Sequence, residues 1–193
     1  AVGVAEWEAW SAAPDTTAPE LSLVPQGTRG RGEWFLSPVQ VRIDATDDSF
    51  GRVTIETSLD GGASWDEVEG VRSHTVSLGA GVHELSVRAT DQAGNTSAVE
   101  TITVKVDTTA PALTATADAE TRTVTVTASD SGSGLDAVEV RVDGGSWATY
   151  TAPLILDEDA HEVAVRARDL AGNSAEASAS LPAAGGPDPA ANL

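Results

Sequence analysis

The residues best suited to chemistry in this sequence are aspartates that recur in matching settings. Asp15 and Asp107 each open an Asp-Thr-Thr-Ala-Pro segment. Asp47 and Asp130 close Ala-Thr-Asp and Ala-Ser-Asp, and Asp91 and Asp169 begin Asp-Gln-Ala-Gly-Asn and Asp-Leu-Ala-Gly-Asn. Carboxylates gathered with loop carbonyls are what Ca²⁺ requires. No complete ligand spacing of the EF-hand kind accompanies them, and Asp beside Thr, Pro and Gly also caps turns. His83 and His161 hold matching positions without a Ser or Cys motif to activate, so each reads as a strand-end histidine bonded to a loop carbonyl. Glu56 pairs by position with Arg88, and Glu139 with Arg166, as cross-strand ion pairs. A glycosidase would instead need two carboxylates about 5–10 Å apart in a cleft. Trp65 and Trp147 follow matching Gly-Gly turns, where they either cover a sheet edge or stack on sugar rings. Trp34 and Phe35 lie beside the loop Gly27-Thr28-Arg29-Gly30-Arg31-Gly32 and are the better glycan or protein contacts.

Composition narrows the function classes. The 193 residues carry a formal net charge of −19 and a single lysine, Lys105. Nucleic acid is excluded as a partner, since phosphate binding needs clustered Lys and Arg. The chain lacks cysteine, which removes thiol catalysis, disulfides and Cys-based zinc sites. No apolar run reaches membrane-spanning length, so no membrane insertion is expected. No cofactor other than calcium is implied. Hydrophobic residues make up 40% and aromatics 4%. The periodic stretches are rich in Val and Thr, which favours strands.

The elements that position these residues repeat. Beyond Asp-Thr-Thr-Ala-Pro, Leu59-Asp60-Gly61-Gly62 returns as Val142-Asp143-Gly144-Gly145. His83 through Asn95 returns as His161 through Asn173, and the second copy lacks the insertion around Gly27 to Ser37. Such units are too long for solenoid repeats and read as tandem domains. Alternation places Val39, Val41, Ile43 and Ala45 on one face, as it does Val124, Val126 and Ala128, and Val163, Val165 and Ala167. Asp60-Gly61-Gly62 and Asp143-Gly144-Gly145 supply hairpin turns, and Pro38 and Pro153 sit at strand starts. About seven strands per unit predict an all-β chain of two tandem immunoglobulin-like β-sandwiches. The expected divisions are 1–13, a closing strand of a preceding domain or a linker; 14–106 and 107–182, the two sandwiches; and 183–193, a Pro/Gly/Ala-rich tail. In such a sandwich the incoming chain meets the B–C and F–G loops. Asp107 is therefore expected near Asp130 and Asp169, and Asp15 near Asp47, Asp48 and Asp91. The short linker, stiffened by Pro111, predicts a semi-rigid, elongated arrangement.

Asp-Thr-Thr-Ala-Pro, Ser37-Pro38-Val39, Leu-Asp-Gly-Gly-x-x-Trp and Arg-Ala-x-Asp-x-Ala-Gly-Asn together resemble bacterial immunoglobulin-like repeats, the first copy being similar to the OmpL47 type. The resemblance covers residues 15–181. It departs at Ser49-Phe50-Gly51-Arg52, where the family usually has Ser-Gly-Val. Gly3 to Trp10 resembles the closing strand of a galactose-binding-like jelly roll. The resemblance implies modules of secreted or cell-surface multi-domain proteins such as glycoside hydrolases, sialidases and adhesins. The chain is thus expected to be a non-catalytic spacer or stalk, its partner an upstream catalytic or binding domain of the same polypeptide. The rival expectation is a carbohydrate-binding or adhesion module that contacts cell-wall or polysaccharide glycans through Trp34, Phe35, Trp65 and Trp147.

Overall fold

Period-2 alternation becomes strand along both repeats. In the computed structural model, which describes residues 13–48, 51–159 and 161–185, the first repeat supplies β1 (Glu20–Gln26), β2 (Trp34–Phe35), β3 (Val39–Thr46), β4 (Thr54–Ser58), β5 (Asp66–Val68), β6 (Ser73–Leu78), β7 (Gly81–Thr90) and β8 (Glu100–Val106). The second supplies β9 (Ala112–Asp118), β10 (Thr123–Ser129), β11 (Leu135–Val142), β12 (Ala148–Thr149), β13 (Leu154–Ile155), β14 (His161–Asp169) and β15 (Ser174–Leu181). No helix occurs among the described residues. The strand expected at 4–10 and the tail from 186 onward lie outside them.

In the first repeat the sheets are β1-β3-β6 and β2-β8-β7-β4-β5. Along β3, Val39, Val41, Ile43 and Ala45 are buried while Gln40, Arg42 and Thr46 face outward. Leu85, Val87 and Ala89 of β7 and Val104 and Val106 of β8 are buried as well. Each of the larger side chains contributes about 1.5–3 kcal/mol by leaving water. The insertion absent from the second repeat forms the short strand β2, which runs parallel to β8 with Trp34 opposite Lys105 and Phe35 opposite Val106.

In the second repeat the sheets are β9-β10-β13 and β12-β11-β14-β15. Val124, Val126, Val140, Val163, Val165 and Leu181 form the core between them. β13 pairs only with Thr123 and Val124, so the N–H of Val126 lacks a ladder partner on that side. Tyr150 supplies it: Val126 N donates to the Tyr150 hydroxyl at 3.1 Å. The chain is thus all-β, with two sandwich-like sheet pairs in tandem, and Pro38 and Pro153 directly precede β3 and β13. The matching Asp-Gly-Gly turns differ. Positive φ falls on Asp143 (50°) and Gly144 (72°) in the second repeat, but on Gly61 (71°) and Gly62 (87°) in the first.

By internal packing the described chain divides into two compact units. Unit 1 holds residues 13–24, 41–48, 51–76 and 84–102. Unit 2 holds 25–40, 77–83, 103–159 and 161–185.

Candidate functional site

The aspartates of unit 2 converge where β8 gives way to the second repeat. Asp107 N donates to Phe35 O at 2.9 Å, which fixes the start of the linker. The Asp107 carboxylate accepts Thr109 N at 3.0 Å and Ser133 N at 2.7 Å. Burial opposes its ionisation, yet the hydrogen bonds from Ser133 and Thr109 hold its carboxyl below the usual range. Asp130 accepts Gly132 N at 3.1 Å and Gly134 N at 2.7 Å through one oxygen. Asp169 accepts Gly172 N at 2.6 Å, Asn173 N at 2.8 Å and the Asn173 side-chain amide at 2.8 Å. One carboxylate oxygen from each of Asp107, Asp130 and Asp169 lies within 4.8 Å of the others. Asp107 is 1% exposed and Asp169 0%. Gly132 has no room for a side chain, because a Cβ would stand 2.5 Å from the Asp107 carboxylate.

Unit 1 repeats the scheme with one exchange. Asp15 accepts Thr17 N at 3.0 Å, and the Thr17 hydroxyl donates to Asp48 at 3.0 Å. The carboxylates that approach within 4.8 Å here are those of Asp15, Asp47 and Asp48. Asp48, expected near Asp15 along with Asp47 and Asp91, completes this group where the second repeat uses Asp169; its counterpart by position there is Ser131. The Asp91 carboxylate instead accepts Asn95 N at 2.8 Å and the Asn95 side-chain amide at 2.7 Å. Both groups offer only carboxylate oxygens, the hard donors that suit Ca²⁺ rather than Zn²⁺ or copper.

The aromatic residues divide. Trp65 lies over the Arg88 guanidinium at 4.4 Å, and Trp147 over Arg166 at 4.2 Å and Arg141 at 4.8 Å. These are cation–π contacts, and two of the arginines, Arg88 and Arg166, are also paired with glutamate. Arg88 bonds Glu56 through two nitrogens at 2.8 and 2.7 Å, and Arg166 bonds Glu139 at 2.8 Å, the cross-strand partnership expected from register. Trp34 is half-buried. Phe35 corrects its expectation as a glycan contact: at 2% exposure, with Arg29 stacked 4.1 Å from its ring, it is part of the core. Inward parity against β8 outweighs its position in a surface insertion.

Glu139, Arg166, Arg168, Ser174 and Glu176 line a surface groove on the outer face of the second repeat. Glu139 and Glu176 flank Arg166 in one cross-strand row. A general acid in such a pair needs a raised pKa. The Arg166 guanidinium holds the Glu139 carboxyl below its ordinary value, the opposite of that requirement.

Sequence reasoning missed three features. Arg31 N donates to Ala171 O at 2.7 Å, and its guanidinium pairs with Asp136, which also receives Arg168 at 2.9 Å. The Tyr150 bond to β10 is the second. His161 is the third. His83 bonds the Gly79 carbonyl at 3.0 Å as expected, whereas His161 meets two carboxylates. Asp157, four residues before His161, was the available signal.

Residues 37–108 match the family described as bacterial Ig-like domain, Big_13. No curated protein matches the chain. Among solved structures, the fibronectin(III)-like modules of Clostridium thermocellum CbhA share 20% identity, with 85% of this chain and 94% of that chain covered and a TM-score of 0.36. The D00-D0 domain of intimin shares 17%, covering 86% and 100%, with a TM-score of 0.39. A 1.5-MDa bacterial ice-binding adhesin, described for host cell surface retention, shares 20%, covering 87% and 65%, with a TM-score of 0.38.

Proposed function

We propose that this chain, which carries a bacterial Ig-like domain over residues 37–108, is a non-catalytic structural spacer within a longer secreted or cell-surface polypeptide. It holds a neighbouring catalytic or binding domain in place. One observation carries the reading. Both repeats fasten their own linker by the same device: Asn95 bonds the Asp15 carbonyl, and Asn173 the Asp107 carbonyl, each at 3.2 Å. The polar residues the repeats share are turn caps, ion-pair partners or linker clasps, which serve continuity of the chain rather than a reaction. The rival glycan-binding reading rests on Trp34, Trp65 and Trp147. Titration against a panel of cell-wall and plant polysaccharides separates the two. The spacer reading expects no saturable binding and no hydrolysis. Saturable binding lost on Trp34→Ala or Trp147→Ala would establish the rival instead.

A second reading concerns the carboxylate groups. With oxygens within 4.8 Å of one another, Asp107, Asp130 and Asp169, and likewise Asp15, Asp47 and Asp48, are proposed to take up Ca²⁺ and so relieve their mutual repulsion. Calorimetric titration with Ca²⁺ tests this, and absence of heat at millimolar cation opposes it.

A further inference from the structure

His161 opens β14 with its side chain only 12% exposed. Its Nδ1 lies 2.7 Å from the Asp143 carboxylate and its Nε2 lies 2.6 Å from that of Asp157. An ionised carboxylate can only accept a hydrogen bond, and a neutral imidazole can donate from only one nitrogen. Two carboxylates facing two ring nitrogens therefore match the imidazolium form alone. Asp143 belongs to the β11–β12 turn and Asp157 to the loop after β13, so the ring ties together segments from the two sheets of the second repeat.

The tied loop also fastens the chain that leaves the repeat. Arg122 donates to the carbonyl of Asp157 at 2.8 Å and to those of Asp159 and Pro182. Ala184 N donates to Glu158 O at 2.7 Å. The Asp143 carboxylate is further held by Glu162 N at 2.9 Å. The charged groups around the ring are thus Asp143, Asp157 and, beyond Asp157, Arg122, with the Glu158, Asp159 and Glu162 side chains on neighbouring positions. Negative charge prevails next to the ring.

We propose that His161 is a pH-sensitive latch: as imidazolium it clamps the β11–β12 turn to the β13–β14 loop, and loss of its proton opens that end of the second repeat and frees the departing chain. On deprotonation one ring nitrogen becomes an acceptor and faces a carboxylate, so one of the two bonds must break. Bonds from Asp143 and Asp157 raise the histidine pKa above its ordinary 6.5, the direction the latch requires. For a raised histidine pKa the sign is definite: the stabilisation is complete below the unfolded-chain value and is lost as pH rises through the folded value. Among the described residues of the first repeat the matching His83 meets a carbonyl, that of Gly79, in place of two carboxylates.

Two measurements on the whole chain test this. The His161 ring protons are followed by NMR through a pH titration, and thermal melts are recorded between about pH 6 and pH 8.5. The latch predicts a His161 midpoint above 6.5, a melting temperature that falls across this window, and loss of that slope in His161→Gln. A His161 midpoint at or below 6.5 in the unaltered chain overturns the proposal without requiring any variant to fold. An identical alkaline slope in His161→Gln overturns it as well.

Discussion

The side-chain amide of Asn173 donates to the main-chain oxygen of Asp107 at 3.2 Å, and Asn95 does the same to Asp15. In each repeat the turn between two late strands thereby grips the segment that leads in. The same amides also bond Asp169 and Asp91, so each clasp is held at both ends. Removing the clasp should cost about 1–2 kcal/mol, the worth of a part-buried hydrogen-bond pair. Asn173→Ala is expected to lower the stability of the second repeat, and Asn95→Ala that of the first. Denaturant melts check both, and unchanged midpoints would remove the clasp from the account.

Core packing sets a larger scale. Leu181 is 2% exposed and joins Val124, Val163 and Val165 in the second core. Leu181→Ala should cost about 2–5 kcal/mol. Leu170, at 49% exposure on the β14–β15 turn, should tolerate alanine within about 0.5 kcal/mol. Equal effects for the two would place the core elsewhere.

Calcium binding, if it follows the proposed carboxylate groups, acts by mass action on the folded state. Millimolar Ca²⁺ is expected to raise the melting temperature relative to chelator, and Asp130→Asn to abolish the part of the shift that belongs to the second repeat. Superimposable melts with and without the cation would remove both sites.

Much of this was legible in the residues. Alternation of Val39, Val41, Ile43 and Ala45 gave the strand and its buried face, and matching positions for Glu56 with Arg88 and Glu139 with Arg166 gave strand register. The convergence of Asp107, Asp130 and Asp169 followed from repeat position and loop placement. What was not legible depends on partners distant in sequence. The Arg31–Asp136 pair and the Tyr150 bond to Val126 join residues with no shared pattern. Phe35 looked exposed because it sits in an insertion, and only its pairing alongside Val106 reveals that it turns inward.

Acid should weaken the fold in a definite direction. Hydrogen bonds from Thr121 and Glu120 to Asp118, pairing of Asp136 with Arg168 and Arg31, and that of Glu139 with Arg166 hold these carboxyls below their ordinary values. A depressed carboxylate pKa gives stability that is present above the unfolded-chain value and is lost as pH falls through the folded one. Melting temperature is therefore expected to decline as pH drops below about 4. With the His161 latch acting at the other side, stability should be greatest between about pH 5 and 6.5. A pH series of melts checks both limbs: a maximum above pH 8 would contradict the His161 latch, and a melting temperature that does not fall below about pH 4 would contradict the carboxylate assignments.

The spacer reading is tested most directly by pulling residues 1–193 from end to end in single-molecule force spectroscopy. Two tandem sandwiches predict two discrete unfolding events, each releasing on the order of 200–300 Å of chain. Smooth extension without discrete events would contradict a structural role in holding neighbouring domains.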